Sequence, residues 1–452
     1  MAAEGRRFLA PRAWVAGAWA DDVLLQADAA GRWTSVQPGA SAHQVAVAER
    51  LDGPVLPGLV DAHSHAFQRA MAGLTERSPA GQDDFWSWRD RMYAAALRIT
   101  PDQVETIAAH LYAELLRSGC TQVCEFHYLH NGVDGNPYAE PAEMALALVR
   151  AAQGVGIGLT LLPTLYMRSG FGATGLRDDQ RRFASSVSSI LECSAKIAGV
   201  HPHVTTGVAV HSLRAAERTA IEDLVRGAAP AAPVHIHISE QRREVEECLS
   251  MHGQRPIEWL LANAPVDARW NLVHATHASR DELAGLRQTG ASIVLCPSTE
   301  ANLGDGVFDL PAWLGASGRW AIGSDSHVTR SWSEELRLLE YSQRLALRER
   351  NVAARAALRE STAAALFDGA LEGGSAAAGV PLAGLAVGQR ADFMVLDADA
   401  PALLGVPPEH VLDAVVFSSP EGVPRQVYVA GERVQPRETA RAFKEAMRAL
   451  WG

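Results

Sequence analysis

The stretch PVLPGLVDAHSHAFQRAMAGLTE, residues 54–76, is an apolar run that ends in two histidines. Alternate residues of a β-strand face the same side, so His63 and His65 are expected to point in one direction. Burying two imidazoles together is unfavourable unless each finds a partner. The pattern therefore predicts a buried strand whose carboxyl end carries a pair of ligands, followed by a polar loop around Gln68.

Seven further apolar runs rich in Val, Ile and Leu follow, separated by amphipathic segments rich in Ala, Leu and Arg. They are CTQVCEFHYLH (120–130), IGLTLLPTLY (157–166), VTTGVAVHSL (204–213), PVHIHIS (233–239), WNLVHATH (270–277), ASIVLCPS (291–298) and RWAIGSDSH (319–327). This alternation is typical of βα units around a parallel sheet. Eight such units predict an α/β fold with a (β/α)8 TIM-type barrel over residues 56–374; a doubly wound sheet is the alternative.

The two ends of the chain have a different pattern. Residues 1–55 and 375–437 contain short pieces that are typical of antiparallel strands and are separated by Gly, Pro and Asp. These pieces are AWVAGAWADDVLLQ (13–26), ADFMVLDAD (391–399), DAVVFSS (413–419) and RQVYVAGERV (425–434). They predict a small β-sandwich domain built from both chain ends, followed by a C-terminal helix over residues 438–452.

Helix starts between the predicted barrel strands carry capping signals. Thr100-Pro101-Asp102-Gln103 offers an N-cap threonine, a proline in the first turn and a glutamine three residues after the cap. Ser279-Arg280-Asp281-Glu282 and Ser331-Trp332-Ser333-Glu334 likewise have a serine followed three residues later by a glutamate. All three are predicted to be capping boxes.

Composition excludes several classes of function. The 452 residues are 48% hydrophobic and 21% charged, with a formal net charge of −11 and no long run of Lys or Arg, which argues against nucleic acid or an anionic membrane as partner. Five scattered cysteines without a CxxC motif argue against a disulfide framework and against a thiolate metal site. No signal-like segment and no apolar stretch of about 18 residues occurs, so a cytoplasmic protein is expected.

Polar side chains cluster where the apolar runs end. Because a barrel gathers the carboxyl ends of its strands at one rim, these side chains are expected to converge there. They are His63, His65, Glu125, His127, Tyr128, His211, Arg214, His235, His237, Glu240, His274, His277, Asp325 and His327. One such histidine is more often a hydrogen-bonded structural residue than a ligand, and Glu125 and His127 are interpreted in that way. So many at one rim indicate a shared ligand.

A divalent metal would satisfy part of this set. His63, His65 and His237 offer three neutral nitrogens and Asp325 offers a carboxylate, a combination suited to one Zn²⁺ per subunit with a position open for water. Fe²⁺ or Mn²⁺ would also accept these ligands.

The same residues resemble a known family. The HxH pair after a first strand, His237-Ile-Ser-Glu240, His274 and Asp325 are similar to the mononuclear deaminase branch of the amidohydrolase superfamily, and LAVGQRADFMVLD (385–397) is similar to its C-terminal sandwich. The resemblance implies three catalytic residues. Asp325 would take a proton from water, His274 would stabilise the charge that develops, and Glu240 would carry a proton to the leaving nitrogen.

Within that branch, four segments resemble the family of N-formimino-L-glutamate deiminases of histidine degradation. They are residues 60–76, FWSWRDRMY (85–93), CEFHYLHN (124–131) and VAVHSLRA (208–215). The resemblance implies hydrolysis of a linear amidine to N-formyl-L-glutamate and ammonia. It also implies a site that holds two carboxylates, for which the candidate substrate-binding residues are Gln68, Arg89, Tyr128, His211 and Arg214.

Arg89 has more than one interpretation. It would add a second cation to its own site or to that of a neighbouring subunit, in the homodimer that is expected; alternatively, its stem covers Trp86 or Trp88.

Two other functions are compatible with parts of the sequence. A guanine or adenosine-derivative aminohydrolase of the same superfamily would use the same metal ligands, although a neutral purine does not need Arg214. A scaffold protein that has lost its chemistry would be expected to lack one or more of the ligands, and all of them are present here.

Overall fold

The structure is a computed structural model that describes residues 5–40, 48–77, 83–419 and 423–452. Its strands are β1 (Arg6–Val15), β2 (Ala18–Ala27), β3 (Trp33–Gln37), β4 (Glu49–Arg50), β5 (Val55–Pro57), β6 (Leu59–Ser64), β7 (Cys120–His127), β8 (Gly158–Leu165), β9 (Val204–Thr206), β10 (Val208–Ser212), β11 (Val234–Ile238), β12 (Trp270–His274), β13 (Ser292–Leu295), β14 (Trp320–Ile322), β15 (Phe393–Leu396), β16 (Pro424–Val429) and β17 (Glu432–Val434). Its α-helices are α1 (Phe85–Ala96), α2 (Pro101–Ser118), α3 (Glu143–Val155), α4 (Val187–Ile197), α5 (Arg218–Gly227), α6 (Arg242–His252), α7 (Pro256–Asn263), α8 (Arg280–Thr289), α9 (Pro297–Leu303), α10 (Leu310–Gly315), α11 (Trp332–Leu347), α12 (Val352–Ala356), α13 (Thr362–Ala378), α14 (Val411–Phe417) and α15 (Ala440–Trp451). Short 3-10 helices cover Ala66–Ala70, Asp178–Phe183 and Pro408–His410.

The eight apolar runs form a parallel barrel. Its strands hydrogen-bond in the order β6, β7, β8, β10, β11, β12, β13 and β14, and β9 pairs with β8 beside this path. The first and last strands approach each other through a parallel bridge between Ser64 and Asp325, where the Asp325 amide donates to the His63 carbonyl at 2.9 Å. The (β/α)8 prediction is therefore confirmed, and the doubly wound alternative is wrong.

The barrel strands are buried along their whole length. Every residue of β7, β8, β11 and β12 is buried, as expected when helices cover one face of a parallel sheet and side chains fill the other. The carboxyl end of α13 meets the sheet near the start of the strands, where Thr160 donates to the Ala378 carbonyl at 2.9 Å.

His235 was expected at the rim with the other strand-end histidines, and that expectation is wrong. Its Nε2 donates to the carbonyl of Ala377 at 2.9 Å, at the carboxyl end of α13. The side chain lies two residues before His237 on the same strand, so it faces the same way but one layer deeper.

The chain ends form a second, largely antiparallel sheet. Its order is β17-β16-β15-β5-β1-β2-β3, with β4 paired to β1. The strand predictions at 13–26, 391–399 and 425–434 are confirmed. Buried side chains of this sheet form a hydrophobic core of their own, in which the rings of Phe393 and Tyr428 stack with their centroids 4.2 Å apart. The separate sheet from both chain ends is thus confirmed, while the exact domain boundaries stay predictions.

The segment DAVVFSS (413–419) was predicted as a strand and lies mostly in helix α14 instead. Val411, Leu412, Val415 and Val416 are buried. Their spacing of one, three and one residues matches a helical face rather than the alternation of a strand.

Two of the three predicted capping boxes are present. Thr100 and Ser279 each accept a hydrogen bond from the backbone three residues later, and the returning side chain completes the pair. The Ser331 side chain makes no capping hydrogen bond to α11. Glu334, which would complete the box, instead accepts a hydrogen bond from the Thr329 hydroxyl at 2.6 Å.

None of the helices in the described part of the chain combines the length and the apolar surface that a membrane span requires.

Candidate active site

The residues predicted to bind metal or substrate or to act in catalysis, eleven in all, lie around one cavity at the carboxyl ends of the barrel strands. Of the other expected rim residues, Glu125, His127, His235, His277 and His327 do not line it. Ten of the eleven candidate residues line it, and His63 lies directly beneath, fully buried. The ten are His65, Gln68, Arg89, Tyr128, His211, Arg214, His237, Glu240, His274 and Asp325. The barrel topology thus brings together side chains that are up to about 260 residues apart in the chain.

Three histidine nitrogens meet at the bottom of this cavity. The Nε2 atom of His63 lies 3.1 Å from Nε2 of His65 and 2.9 Å from Nε2 of His237. Nδ1 of His65 lies 2.9 Å from the Phe126 carbonyl and Nδ1 of His237 lies 3.0 Å from the His211 carbonyl. A carbonyl only accepts, so both Nδ1 atoms carry the proton in the neutral rings and both Nε2 atoms present lone pairs.

Nitrogen lone pairs that point at one another repel, whereas a metal ion between them would accept all of them. Tetrahedral Zn²⁺ with nitrogen ligands would separate those nitrogens by about 3.3 Å, close to the observed spacing. Burial lowers the pKa of His63 and His237 far below the usual range, and burial with the neighbouring His63 lowers the pKa of His65 to about 3. The rings are therefore neutral, which is the state that coordinates a metal.

Asp325 completes this cluster from the segment that follows the last barrel strand, β14. Its Oδ1 atom lies 3.5 Å from Nε2 of His63 and 3.3 Å from Nε2 of His65. Its backbone has a φ of 49°, in the left-handed region that non-glycine residues rarely adopt. Strain of this kind persists only where surrounding contacts hold it, which is common at functional sites.

Asp61 provides that hold, and the sequence reasoning missed it. Its carboxylate accepts from the Ser324 amide at 2.8 Å and from the Ser324 hydroxyl at 2.6 Å. This fixes the residue before Asp325 to the first barrel strand. A carboxylate inside the apolar run LVDAHS was the available signal.

His274 lies between three carboxylates. Its Nε2 atom is 3.7 Å from Oδ2 of Asp325 and 3.9 Å from Oε1 of Glu240, and its Nδ1 atom is 3.3 Å from Oε1 of Glu300. Burial alone would lower the pKa of His274, but Glu240, Glu300 and Asp325 raise it to about 10. The imidazole is therefore held as a donor at both nitrogens.

Glu300 is a further site residue that sequence reasoning did not find. It is buried in α9, and its Oε1 also accepts from the Cys296 amide at 2.9 Å. The carboxylate is therefore fixed before it meets His274. Its segment, CPSTEANL, carries no motif that distinguishes this glutamate from a helix-capping residue.

Glu240 faces the cavity from the loop after β11. Burial raises its pKa to about 7, while His274 and Arg214 favour the ionised form. Its amide donates to Oε2 of the buried Glu244 at 3.2 Å, which fixes the backbone at this point. The carboxyl group can thus both accept and release a proton near neutral pH.

The cavity is also lined by neutral polar side chains, Gln68, Tyr128 and His211. Nε2 of Gln68 donates to the Tyr128 hydroxyl at 3.0 Å, while its buried Oε1 has no donor among the described residues. The His211 ring packs against Tyr166 and Tyr128, with centroids 4.3 and 5.4 Å away. These side chains are held in place and leave hydrogen-bonding capacity directed at the cavity.

Two arginines bring positive charge. Arg214 is 7% exposed, and Arg89 lies beside it; their guanidinium carbons are 5.6 and 4.5 Å from the Trp86 ring. In the described part of the chain neither guanidinium bonds to a carboxylate, and the Nε atom of each is buried without an acceptor. The Arg89 guanidinium lies over Trp86 and Arg89 also lines the cavity of its own chain, so the two alternatives are compatible. Its role as a second cation, in this site or in that of a neighbouring subunit, stays a prediction.

The short helix Ala66–Ala70, which carries Gln68, is supported on both sides. Glu125 accepts from the Ala66 amide and from the Ser64 and Tyr112 hydroxyls, which agrees with its interpretation as a structural residue. On the outer side, Nε1 of Trp451 in α15 donates to the Ala70 carbonyl at 3.0 Å.

Removing this last hydrogen bond is expected to weaken substrate binding slightly. The Trp451→Phe substitution keeps a ring against the turn but removes the donor, so Gln68 becomes less well ordered. We expect KM to rise by less than about tenfold with kcat unchanged, since one neutral hydrogen bond contributes about 1 kcal/mol. Steady-state kinetics measure this, and a lowered kcat with unchanged KM would contradict it.

Comparison with known proteins gives consistent results. The sequence profile of the Amidohydrolase family matches residues 55–434. The formimidoylglutamate deiminase of Pseudomonas aeruginosa is 44% identical over 453 residues, covering 98% of this chain and 98% of its own. The crystal structure of an amidohydrolase from Brucella melitensis is 42% identical, covers 99% of this chain and 100% of its own, and has a TM-score of 0.92. An adenosine deaminase from Xanthomonas campestris with bound zinc shares the fold at 22% identity and a TM-score of 0.79, over 98% of this chain and 99% of its own.

Proposed function

The chain belongs to the amidohydrolase family, and on that premise we propose that it is a metal-dependent hydrolase that converts N-formimino-L-glutamate and water to N-formyl-L-glutamate and ammonia, a step of histidine degradation. The bond broken is a C–N bond of a linear amidine. Full-length identity of 44% to the Pseudomonas aeruginosa formimidoylglutamate deiminase supports this substrate.

The observation that carries the proposal is the pair of arginines without carboxylate partners. Arg89 and Arg214 line the cavity together, and the described residues offer no hydrogen bond to either Nε atom. Leaving such donors buried and unpaired is unfavourable. A substrate with two carboxylates satisfies both, whereas a neutral purine of the alternative aminohydrolases satisfies neither.

His63, His65, His237 and Asp325 would hold the metal. When bound, it would supply the Lewis acidity that lets a water molecule lose a proton near neutral pH. The set of three imidazoles and a carboxylate supports Zn²⁺, as found in the Xanthomonas campestris neighbour, with Fe²⁺ or Mn²⁺ as alternatives. The expected homodimer and cytoplasmic location stay predictions.

The chain's own carboxylates and His274 move the protons. Oδ1 of Asp325 faces the histidine cluster and Oδ2 faces His274, so Oδ2 is placed to accept a proton from the attacking water. His274 donates from Nε2 to the oxygen of the tetrahedral adduct, where negative charge develops. Glu240 first holds the protonated amidine nitrogen and then passes to it the proton that the adduct hydroxyl gives up, so that the C–N bond breaks, ammonia leaves and the carbonyl forms.

The remaining polar residues orient the substrate. Arg214 and Arg89 bind the two carboxylates, while Gln68, Tyr128 and His211 bind the polar atoms between the carboxylates and the amidine. Both ends of the substrate are then fixed, which places the amidine carbon between Asp325 and Glu240.

The test is ammonia release with N-formimino-L-glutamate, guanine and adenosine derivatives as separate substrates, with metal analysis of the same sample. The proposal expects turnover of the first compound and about one metal ion per chain. Turnover of purines alone would replace the proposed substrate by the alternative.

Glu300 gives a further prediction. Glu300→Gln keeps an oxygen acceptor for His274 but removes a charge that keeps the imidazole protonated, so Nε2 carries a proton for the adduct less of the time. We expect kcat to fall about tenfold or more with KM nearly unchanged, in line with the loss of a group that orients a catalytic side chain. Glu300→Ala should lose more activity than Glu300→Gln, and equal kcat in both variants and the parent enzyme would remove Glu300 from the mechanism.

A further inference from the structure

A second cavity, of about 590 Å³, lies on the outer side of the barrel at the end of β7. It shares no lining residue with the active-site cavity. The segment that follows β7, the start of α3 and the length of α4 line it, and its polar lining includes His127, His130, Glu140, Glu192, Cys193 and Lys196. Its volume is in the range of small-molecule sites.

His127 has no structural partner that would explain its burial. It is 5% exposed, and within the described residues it makes no hydrogen bond; its ring packs against the His130 ring, with the centroids 5.0 Å apart. Sequence reasoning assigned it a structural role, which requires a hydrogen-bond partner that the described residues do not supply. The His127 ring nitrogens are therefore available to a polar group in the cavity.

The neighbouring His130 presents an acceptor to the same space. Its Nε2 lies 2.9 Å from the Thr164 carbonyl, so this nitrogen carries the proton and Nδ1 keeps its lone pair. Burial lowers the pKa of His127 well below its usual range and that of His130 to about 4, so both rings are neutral. The cavity therefore offers imidazole acceptors and no imidazolium charge.

The charged groups of the lining add net negative charge. Lys196 forms an ion pair with Glu140, which leaves Glu192 as a carboxylate without an ion pair in the described part of the chain. Ile190, Ala142 and Ala145 provide apolar surface nearby. Acceptors, one unpaired carboxylate and an apolar wall together suit a small cation with N–H donors.

One wall separates this cavity from the active site. The ring of Phe183 packs against Tyr128 and Tyr166 on the substrate side, with centroids 5.1 and 5.5 Å away. The next residues, Ala184 and Ser185, line the outer cavity, and the Ser185 hydroxyl accepts from the Tyr166 amide at 2.8 Å. A ligand in the outer cavity would therefore contact Ala184 and Ser185, which adjoin the Phe183 ring that packs against Tyr128.

We propose that this cavity is a second small-molecule site, which takes an organic monocation carrying N–H donors on an apolar body, and that its occupation changes the KM of the active site through the wall of residues 183–185. The ammonium or amidinium group of such a ligand donates to the imidazoles of His127 and His130 and faces Glu192. The proposal that the cavity binds such a cation is independent of the proposed function. The proposal that binding changes KM rests on the proposed function.

The test uses calorimetry on the full-length, metal-loaded enzyme with three probes of the same size: benzylammonium, benzyl alcohol and benzoate. We expect saturable 1:1 binding of benzylammonium, at least about tenfold tighter than binding of benzyl alcohol, and weakest binding of benzoate. Equal affinity for all three probes, or no saturable binding of benzylammonium, would overturn the site.

Variants locate the binding. His127→Phe and Glu192→Gln should each weaken benzylammonium binding about tenfold, and Glu192→Gln at the cavity mouth does so without touching the core. Glu246→Gln, at an exposed position of α6, is the matched charge control and should leave the affinity unchanged. A changed affinity in Arg214→Ala, or unchanged affinity in both cavity variants, would assign the probe to the active site or the surface and overturn the proposal.

The proposed effect on KM is tested separately, by steady-state kinetics. Saturating benzylammonium should change KM for N-formimino-L-glutamate at least twofold in the parent enzyme but not in Glu192→Gln. An unchanged KM would overturn the coupling while calorimetry decides the site. If the enzyme turns over no N-formimino-L-glutamate, the proposed function fails, and the calorimetric result on the site is unaffected.

Discussion

Replacing Asp325 with asparagine is expected to reduce kcat by about 10³- to 10⁴-fold, because the substitution removes the carboxylate that we propose accepts the proton of the attacking water. Asp325 lies 3.3 Å from His65 on one oxygen and 3.7 Å from His274 on the other. Asparagine keeps the shape and an oxygen ligand but has no basic oxygen. The strained backbone at φ 49° is unaffected, since asparagine also tolerates this region.

The measurement pairs ammonia release with metal content and thermal unfolding. Retained metal and an unfolding temperature close to that of the parent enzyme would assign the loss to proton transfer rather than to folding. Asp281→Asn, in the exposed first turn of α8, is the matched control and should keep full activity. If Asp325→Asn retains kcat within about tenfold, another base is at work.

Much of this site follows from local rules. The period of two places His63 and His65 on one face, and the closure of a parallel barrel places every strand end at one rim. Those two rules bring His237, His274 and Asp325 to the same cavity without knowledge of any contact. The two rules predict these residues because the residues lie at strand ends. For a strand end of a barrel, the position along the chain predicts the position in space.

Residues that act through a tertiary partner do not follow in this way. Asp61 bonds to Ser324, 263 residues away, and the pairing depends on how the barrel closes. Glu300 approaches His274 from a helix whose rotation the sequence does not specify. His235 was placed one layer too high because an apolar run does not show where the strand within it ends.

The same limit explains the misassigned segment DAVVFSS. Its apolar residues suit a strand or a helix, and a run this short has no decisive period. The four residues that face the core include Val411 and Leu412, which precede the segment, so the helical face became visible only when the neighbouring elements were in place.

The second large effect is expected at Arg214. Arg214→Ala should raise KM for N-formimino-L-glutamate about 100-fold, with kcat within about threefold of the parent enzyme and unchanged metal content. The guanidinium is nearly fully buried and its Nε has no acceptor among the described residues, so a substrate carboxylate is expected to gain a charge-assisted, two-pronged hydrogen bond there. Losing it removes binding in the ground state and the transition state alike, which is why KM carries the effect.

Arg243→Ala is the control that separates substrate charge from packing. Arg243 also stacks on Trp86, at 4.6 Å, but pairs with Glu247 and lies outside the cavity lining. If Arg214 acted by supporting Trp86, both variants would raise KM similarly. If it binds a carboxylate, only Arg214→Ala does so, and Arg214→Lys recovers part of the affinity because charge persists without the fork. Unchanged kinetics in Arg214→Ala would reject a dicarboxylate substrate, since this buried cation would then have no function in binding it.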